Sequence, residues 1–178
     1  MSSDLPIRMV SRIVRGFGRG SKELGIPTAN LSKQDFACSL GEFESLPTGI
    51  YWGFGRVGEP RQQDDDSVLG RVLPAAISVG YNPHYKNEEK TVEPHLIVES
   101  KHPRRHASAT QETLLADFYD ETIVLSICGF IRDELPFEGV EKLIQAIKRD
   151  IQATETLAAN CDGDALAEKE WVASASKL

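Results

Sequence analysis

The chain has 178 residues, a formal net charge of −7 and 40% hydrophobic residues. This length suits one domain with a sizeable core. The acidic balance argues against general nucleic-acid binding, which needs a basic face, and no apolar run approaches the roughly 18 residues of a membrane-spanning helix. We therefore expect one domain that binds neither nucleic acid nor membrane, and we expect it to be a monomer.

The most distinctive segment follows a strand predicted at residues 9–14 and runs from Gly16 to Asn30. Its glycines let backbone N–H groups approach phosphate oxygens, and successive N–H groups form an anion-binding concavity. Thr28 and Asn30 offer oxygen ligands of the kind that Mg²⁺ takes. The segment lacks the G-x-x-x-x-G-K-[ST] pattern of a P-loop, so it indicates a different kind of polyphosphate site. A Gly-rich basic loop that binds nothing is the alternative.

Further strands are predicted at residues 49–57, 75–79, 91–98 and 122–131, where short apolar runs are bounded by Gly and Pro. The last run is apolar on both faces, which predicts a central strand. Residues 53–58 match G-x-G-x-x-G, but no helix follows them, so we interpret the glycines as spacing within a strand and its turn. Short strands with such turns predict a small antiparallel barrel.

An amphipathic helix is predicted over residues 140–151, with a continuation to about Leu157, because apolar residues recur there at helical spacing. We place Asp150 on its polar, exposed face. Residues 158–178 are small and polar, which predicts a flexible tail. A C-terminal Ser-Lys-Leu is an address read by the peroxisomal import receptor. We therefore expect that receptor as a partner and a peroxisome-type organelle, such as a glycosome, as the location, with the cytoplasm as the alternative.

Several blocks in this order resemble the riboflavin kinase family. They are residues 16–30 with their Pro-Thr-Ala-Asn end, 48–53, 77–85, 93–96, 117–119 and 128–132. The similarity covers about residues 15–151, within one domain of residues 1–157, and segments 58–71 and 101–112 read as surface insertions. It implies a mainly β fold, a small closed six-stranded antiparallel Greek-key β-barrel with a C-terminal amphipathic α-helix. It also implies an enzyme that uses ATP to phosphorylate riboflavin at the ribityl 5′-hydroxyl, giving FMN and ADP.

The resemblance makes Glu93 the catalytic residue. Phosphoryl transfer to an alcohol needs a carboxylate within hydrogen-bond reach of the hydroxyl, to take its proton. Pro94 departs from the family's pattern and puts the strand pairing in question, because proline lacks an N–H donor. His95 would share the face of Glu93. We expect His95 to be structural, with orientation of Glu93 as the alternative role.

The remaining roles implied by the resemblance fall into three groups. The nucleotide would be bound by Gly16, Gly18, Gly20, Ser21, Lys22, Thr28, Asn30, Leu96, Val98 and Tyr119. Thr28 and Asn30 would hold Mg²⁺, with Zn²⁺ or Mn²⁺ as alternatives, and ATP would be the co-substrate. Arg132, Leu135 and Phe137 would contact the flavin. Two other functions stay open, a barrel that carries FMN or riboflavin without catalysis and a nucleotide-binding regulator.

Overall fold

The computed structural model describes residues 5–14, 30–31, 44–60, 68–81, 90–99, 118 and 120–176. Their strands are β1 (Ile7–Val14), β2 (Asn30–Leu31), β3 (Gly49–Val57), β4 (Leu73–Tyr81), β5 (Lys90–Leu96) and β6 (Thr122–Arg132). Their helices are α1 (Val140–Ala159) and α2 (Gly163–Ser174). The predicted strands and the first helix are confirmed to within a few residues, whereas β2 and α2 were not predicted.

The strands form one curled sheet in the order β2-β1-β6-β3-β4-β5, and each neighbouring pair is antiparallel. The curl brings Cα atoms of β2 within 8 Å of Cα atoms of β5, at the opposite end of the sheet. Among the described residues these two strands are not paired by a hydrogen-bonded ladder. The mainly β, antiparallel class predicted from the sequence is therefore confirmed, while full closure into a barrel stays a prediction.

Strand β6 lies at the centre, as its apolar composition predicts, and pairs with β1 on one side and β3 on the other. One face of β6 carries Ile123, Leu125 and Ile127 into the main core inside the curl. The other face places Val124 in a second apolar cluster with residues of β3 and α2. A strand buried on both faces needs apolar residues at consecutive positions, which is why its sequence does not alternate.

The G-x-G-x-x-G match lies within β3 and its turn, as interpreted from the sequence. Gly53 stands so close to the carbonyl of Ser126 in β6 that a side chain would not fit between the strands. Gly58 ends the strand with a φ of +73°, which favours glycine. These glycines serve strand packing and a turn, and no helix follows them within the described residues.

Strand β5 forms one end of the sheet, and this position accommodates Pro94. The β4–β5 register runs unbroken from Lys90 to Leu96, with Pro94 opposite Ile77. Proline is tolerated on edge strands because its missing N–H need not face a partner strand. Pro94 therefore does not interrupt the pairing of β5 with β4.

The flexible tail predicted from residue 158 onward is wrong for residues 163–174, which form α2 and pack on β3 and β6. The side chain of Val172 is fully buried there, in the apolar cluster that includes Phe54. Arg56 donates from Nε to the Val172 carbonyl at 2.8 Å and also bonds the Ala175 carbonyl. Apolar residues do not recur at helical spacing along α2. The helix is held on the sheet in part by polar contacts, which leave no apolar pattern in the sequence. Composition therefore gave no sign of this helix.

Candidate active site

A cavity of about 580 Å³ lies between β4, β5, the segment that follows β6, and α1. Much of its wall is apolar and comes from Leu135, Pro136 and Phe137 after β6 and from Leu143, Ile147 and Ile151 of α1. The polar lining residues are Ser78, Glu93, His95, Arg132, Glu134 and Asp150. An apolar cavity with a few placed polar groups suits a flat organic ligand with a polar edge.

The apolar face of α1 is incompletely covered by the protein. Leu143, Ile147 and Ile151 are each only half-buried, although they form the stripe that an amphipathic helix normally packs away. The reason is geometric, since these side chains line the cavity. Filling the cavity with an apolar ring would remove this surface from water.

Strand alternation places Glu93 at the cavity. The buried residues Val92 and Leu96 point to the core, while Glu93 and His95 point to the opposite face and line the cavity. The shared face of Glu93 and His95 is as predicted. In the sheet, Glu93 stands opposite Ser78 of β4.

The carboxyl group of Glu93 sits in surroundings that disfavour its charge. Burial raises the pKa of Glu93, and the negative charge of Glu134 raises it further. Within the described part of the chain, neither a hydrogen bond nor an ion pair to Glu93 offsets these effects. A carboxyl group with a raised pKa is a better proton acceptor when ionised, which suits a general base.

Arg132 is held rigidly at the cavity edge. Its Nε and Nη2 donate to the two carboxylate oxygens of Asp150 at 2.8 and 2.7 Å, and its Nη1 donates to the Asp133 carbonyl at 2.9 Å. The guanidinium carbon also lies 5.6 Å from the ring centroid of Phe137, within the range of a cation–π contact. A bidentate pair of this kind fixes the plane of the guanidinium group.

Asp150 was expected on the exposed face of the helix, and this expectation is wrong. Its side chain is buried, because the Arg132 guanidinium lies over it. The pairing joins β6 to α1 and so sets the width of the cavity between them. Periodicity alone assigned Asp150 to solvent, since a carboxylate is normally polar surface unless a partner lies opposite.

The structure brings together Glu93, Arg132, Leu135 and Phe137, which the sequence placed in one site. It also adds Glu134, Asp150 and the cavity-lining residues of α1, which the sequence did not assign. The sequence offered one indication for Glu134, because it lies between Arg132 and Leu135, which were both assigned to the flavin. The helix residues gave no separate signal, since a cavity-lining stripe and a core-packing stripe have the same spacing.

Two of the residues assigned to nucleotide binding face the core and not this cavity. Leu96 and Val98 are buried in the main core, on the other side of the sheet from Glu93. Asn30 is in β2 opposite Val14. The other nucleotide assignments, at Gly16, Gly18, Gly20, Ser21, Lys22, Thr28 and Tyr119, fall outside the described residues. Their roles stay predictions.

Comparisons with known proteins bear on the family of this chain. A family model, Flavokinase, described as riboflavin kinase, matches residues 3–158. Riboflavin kinase from Aspergillus terreus is 39% identical over 151 residues, covering 83% of this chain and 71% of that protein. Riboflavin kinase from Mus musculus is 38% identical over 152 residues, covering 83% of this chain and 78% of that protein.

Two solved structures share the fold. Riboflavin kinase from Trypanosoma brucei has a TM-score of 0.57 at 21% identity, over 96% of this chain and 88% of that one. A macrolide-efflux protein from Streptococcus pneumoniae has a TM-score of 0.53 at 22% identity, over 88% of this chain but 40% of that one. At these sequence identities the two structures are evidence for a shared fold only.

Proposed function

The chain belongs to the riboflavin kinase family, and we propose that it transfers the γ-phosphoryl group of ATP to the ribityl 5′-hydroxyl of riboflavin, giving FMN and ADP. The family expected from the sequence blocks is confirmed. The matching relatives are named as kinases, which favours this reaction over a flavin carrier without catalysis.

One observation supports the proposal above all others. The cavity places Glu93, a carboxylate without a partner among the described residues, beside a wall of apolar side chains and one rigid guanidinium group, Arg132. The apolar wall matches a flavin ring, and the carboxylate matches the reacting alcohol at the end of its side chain. A carrier would need the apolar wall but would have no use for a partly buried carboxylate at this place, whose desolvation opposes folding.

Glu93 acts as the general base in this proposal. Its carboxylate accepts the proton of the 5′-hydroxyl as the oxygen bonds to the γ-phosphorus and the bond from phosphorus to the ADP oxygen breaks. The proton is on Glu93 at the end of the step and then passes to water. Proton transfer of this kind contributes typically about 10²–10⁴-fold to a rate.

Arg132, Leu135 and Phe137 would position the flavin. Asp150 holds the Arg132 guanidinium in place without ligand, so little rotamer freedom would be lost on binding. Leu135 is exposed at 58% relative accessibility, which is unusual for a leucine and is explained if a ligand covers it.

The nucleotide and its metal are assigned to the Gly-rich segment. Gly16, Gly18, Gly20, Ser21 and Lys22 would hold the phosphates of ATP, and this rests on the sequence blocks. Leu96, Val98 and Tyr119 would contact the nucleotide, which for the two buried side chains requires an approach from inside the curl.

Thr28 and Asn30 would hold Mg²⁺ through a hydroxyl and an amide oxygen, a donor set that suits this hard cation better than Zn²⁺ and as well as Mn²⁺. When bound, the cation neutralises phosphate charge. The variant Thr28→Ala should raise the Mg²⁺ concentration needed for half-maximal activity. Unchanged metal dependence would leave Thr28 without a ligand role.

The decisive experiment is a product assay. The purified chain is incubated with Mg-ATP and riboflavin, and FMN and ADP are separated by chromatography. Equal amounts of both products support the kinase. Tight riboflavin binding without ADP would instead support the carrier, and ATP binding without a flavin effect would support a nucleotide-binding regulator.

Three structural details belong to the same proposal. The approach of β2 to β5 supports closure of the sheet into a six-stranded Greek-key barrel, which hydrogen exchange of β2 amides in the nucleotide complex would test. We propose a monomer, which sedimentation would test. The C-terminal Ser-Lys-Leu supports import into a peroxisome-type organelle, and deletion of the tripeptide from a fluorescent fusion should leave it in the cytoplasm.

A further inference from the structure

A second carboxylate faces the cavity beside Glu93. Glu134, in the segment after β6, lines the same cavity. Within the part of the chain that the structure describes, Glu134 makes neither a hydrogen bond nor an ion pair. Among the described residues the cavity therefore holds two carboxylates that no protein donor engages, the half-buried Glu93 and the more exposed Glu134.

Gly80 provides the place that Glu134 occupies. A Cβ atom added to Gly80 would lie 2.8 Å from the carboxyl carbon of Glu134, which is closer than such atoms can approach. Gly80 is two positions along β4 from Ser78, which stands opposite Glu93. Ser78 and Gly80 face the same side of β4, so the carboxylate of Glu134 lies on the face of the sheet that carries Glu93.

The nearest cation of the cavity lining is already occupied. Three of the guanidinium donors of Arg132 bond Asp150 and the Asp133 carbonyl. Its charge lowers the pKa of Glu134 only in part, since burial raises that pKa more. Repulsion between the two carboxylates raises the pKa of Glu93, the more buried of the two. No donor of the described residues engages the lone pairs of Glu134, so they can accept a hydrogen bond from a ligand in the cavity.

The chemistry of that donor follows from the carboxylates. An ionised carboxylate is acceptor-only, so its ligand must carry donors or positive charge. A cation is the less favoured choice, because no group of three or more His, Cys, Asp or Glu side chains able to hold one occurs among the described residues. A chain with several neighbouring hydroxyl groups offers one donor to Glu93 and another to Glu134.

We infer that Glu134, seated on Gly80, is a specificity-determining residue that accepts a hydrogen bond from an internal hydroxyl of the acceptor chain. This inference rests on the proposed function. It makes the enzyme select a polyhydroxylated chain over a chain that carries only the terminal, reacting hydroxyl. Glu93 recognises the oxygen that reacts, and Glu134 recognises the hydroxyls that precede it.

The test compares two acceptors on the wild type and on variants. One acceptor is riboflavin, and the other is the same ring system with a 5-hydroxypentyl chain, which lacks the internal hydroxyls. The wild type should prefer riboflavin in kcat/KM. Glu134→Ala should lower kcat/KM for riboflavin by about ten- to hundredfold, the usual worth of a hydrogen bond to a charged group, and leave the analogue nearly unchanged.

Gly80→Ala is a second route to the same result. Its methyl group would displace the carboxylate of Glu134, which is the far end of a flexible side chain, so the fold should persist. This variant should lose the preference for riboflavin while keeping Glu134 in the chain. Glu138→Ala is the matched control, because Glu138 is exposed, pairs with Lys142 at 2.8 Å and does not line the cavity.

Each outcome bears on the inference. An equal loss with both acceptors, or no loss with either, overturns it, and so does a wild type that does not distinguish the acceptors. A changed Mg²⁺ requirement in Glu134→Ala with both acceptors overturns it in favour of a cation ligand. If the wild type makes no FMN at all, the proposed function fails instead, and that result is read before any variant is made.

Discussion

Glu93 and Glu168 are two acidic residues placed against the same sheet, and their surroundings are opposite. Glu93 faces the cavity beneath α1 and has no partner among the described residues. Glu168, in α2, accepts two hydrogen bonds from Arg8 at 2.9 Å and one from Ser126 at 2.7 Å. One carboxylate is left open, and the other is fully engaged.

The pKa values of the two groups follow this difference. Burial and the charge of Glu134 raise the pKa of Glu93. Burial would also raise the pKa of Glu168, but the hydrogen bonds from Arg8 and Ser126 outweigh it, so that the pKa of Glu168 lies below its usual value. The comparison teaches that an engaged buried carboxylate attaches a helix, whereas an open one opposes folding and is kept where a ligand uses it.

The largest effect is expected at Glu93. Glu93→Gln keeps the size of the side chain but cannot accept the proton, so kcat should fall by about 10²–10⁴-fold. Riboflavin binding, measured by quenching of flavin fluorescence, should change little. Near-wild-type turnover of this variant would show that Glu93 is not the general base, and the contrast with Glu168 would then have no catalytic meaning.

The opposite pattern is expected at Glu168. Glu168→Ala leaves the buried Ser126 hydroxyl without its acceptor and should lower the free energy of unfolding by about 1–3 kcal/mol, measured by urea denaturation. Turnover of the folded fraction should stay within about twofold of the wild type, since α2 packs away from the cavity.

Glu170→Ala is the control for Glu168, because Glu170 is exposed on the same helix. It should change stability by less than about 0.5 kcal/mol. A loss of kcat in fully folded Glu168→Ala would show that α2 acts on the active site. Glu168 could then no longer be assigned to stability alone and Glu93 to catalysis alone.

A smaller effect is expected at Asp150, which joins the two regions. Asp150→Asn replaces one acceptor oxygen of the pair with a donor, so Arg132 should lose its fixed orientation. The KM for riboflavin should rise by about three- to tenfold with a smaller change in kcat, measured by initial rates. Glu141→Gln, on the exposed face of the same helix, should leave KM unchanged.

The smallest effect is the pH dependence of stability, which has opposite signs for the two glutamates. The folded pKa of Glu168 is lowered, so its contribution is present above the pKa of the unfolded chain and is lost as pH falls through the folded pKa. The stability deficit of Glu168→Gln should therefore be greatest near neutral pH and should shrink in acid.

The folded pKa of Glu93 is raised, so its ionised form opposes folding above that pKa and no longer does so below the unfolded pKa. Glu93→Gln should therefore be slightly more stable than the wild type at neutral pH, and this gain should vanish in acid. Urea denaturation at a series of pH values measures how the stability difference between each variant and the wild type changes with pH. A change of the same sign for both variants would contradict the opposite pKa shifts.

Local patterns were sufficient for most of the fold and for part of the site. The double-faced apolar run of β6 identified a central strand, and the apolar spacing of α1 identified its helix. Alternation along β5 put Glu93 and His95 on one face. These features depend on contacts within a few residues, which periodicity records directly.

Other features depended on partners that are distant in sequence. The sequence pattern places Asp150 on the surface, whereas Arg132 lies over it. The pattern also predicts a flexible tail at residues 163–174, whereas Arg8, Arg56 and Ser126 hydrogen-bond this segment. The position of Glu134 at the cavity depends on Gly80, a glycine of another segment of the chain. Such pairs leave no periodic trace, because each partner alone is an ordinary polar residue.

From the sequence alone came the family, the β-rich class, the strand that carries Glu93 and the segment that carries Arg132, Leu135 and Phe137, because ordered motifs and local spacing encode them. Only the tertiary structure decided that Glu93 is open while Glu168 is engaged, and that α1 leaves its apolar stripe facing a cavity. Whether a carboxylate is paired depends on the atoms that folding brings beside it, and those atoms lie far away along the chain.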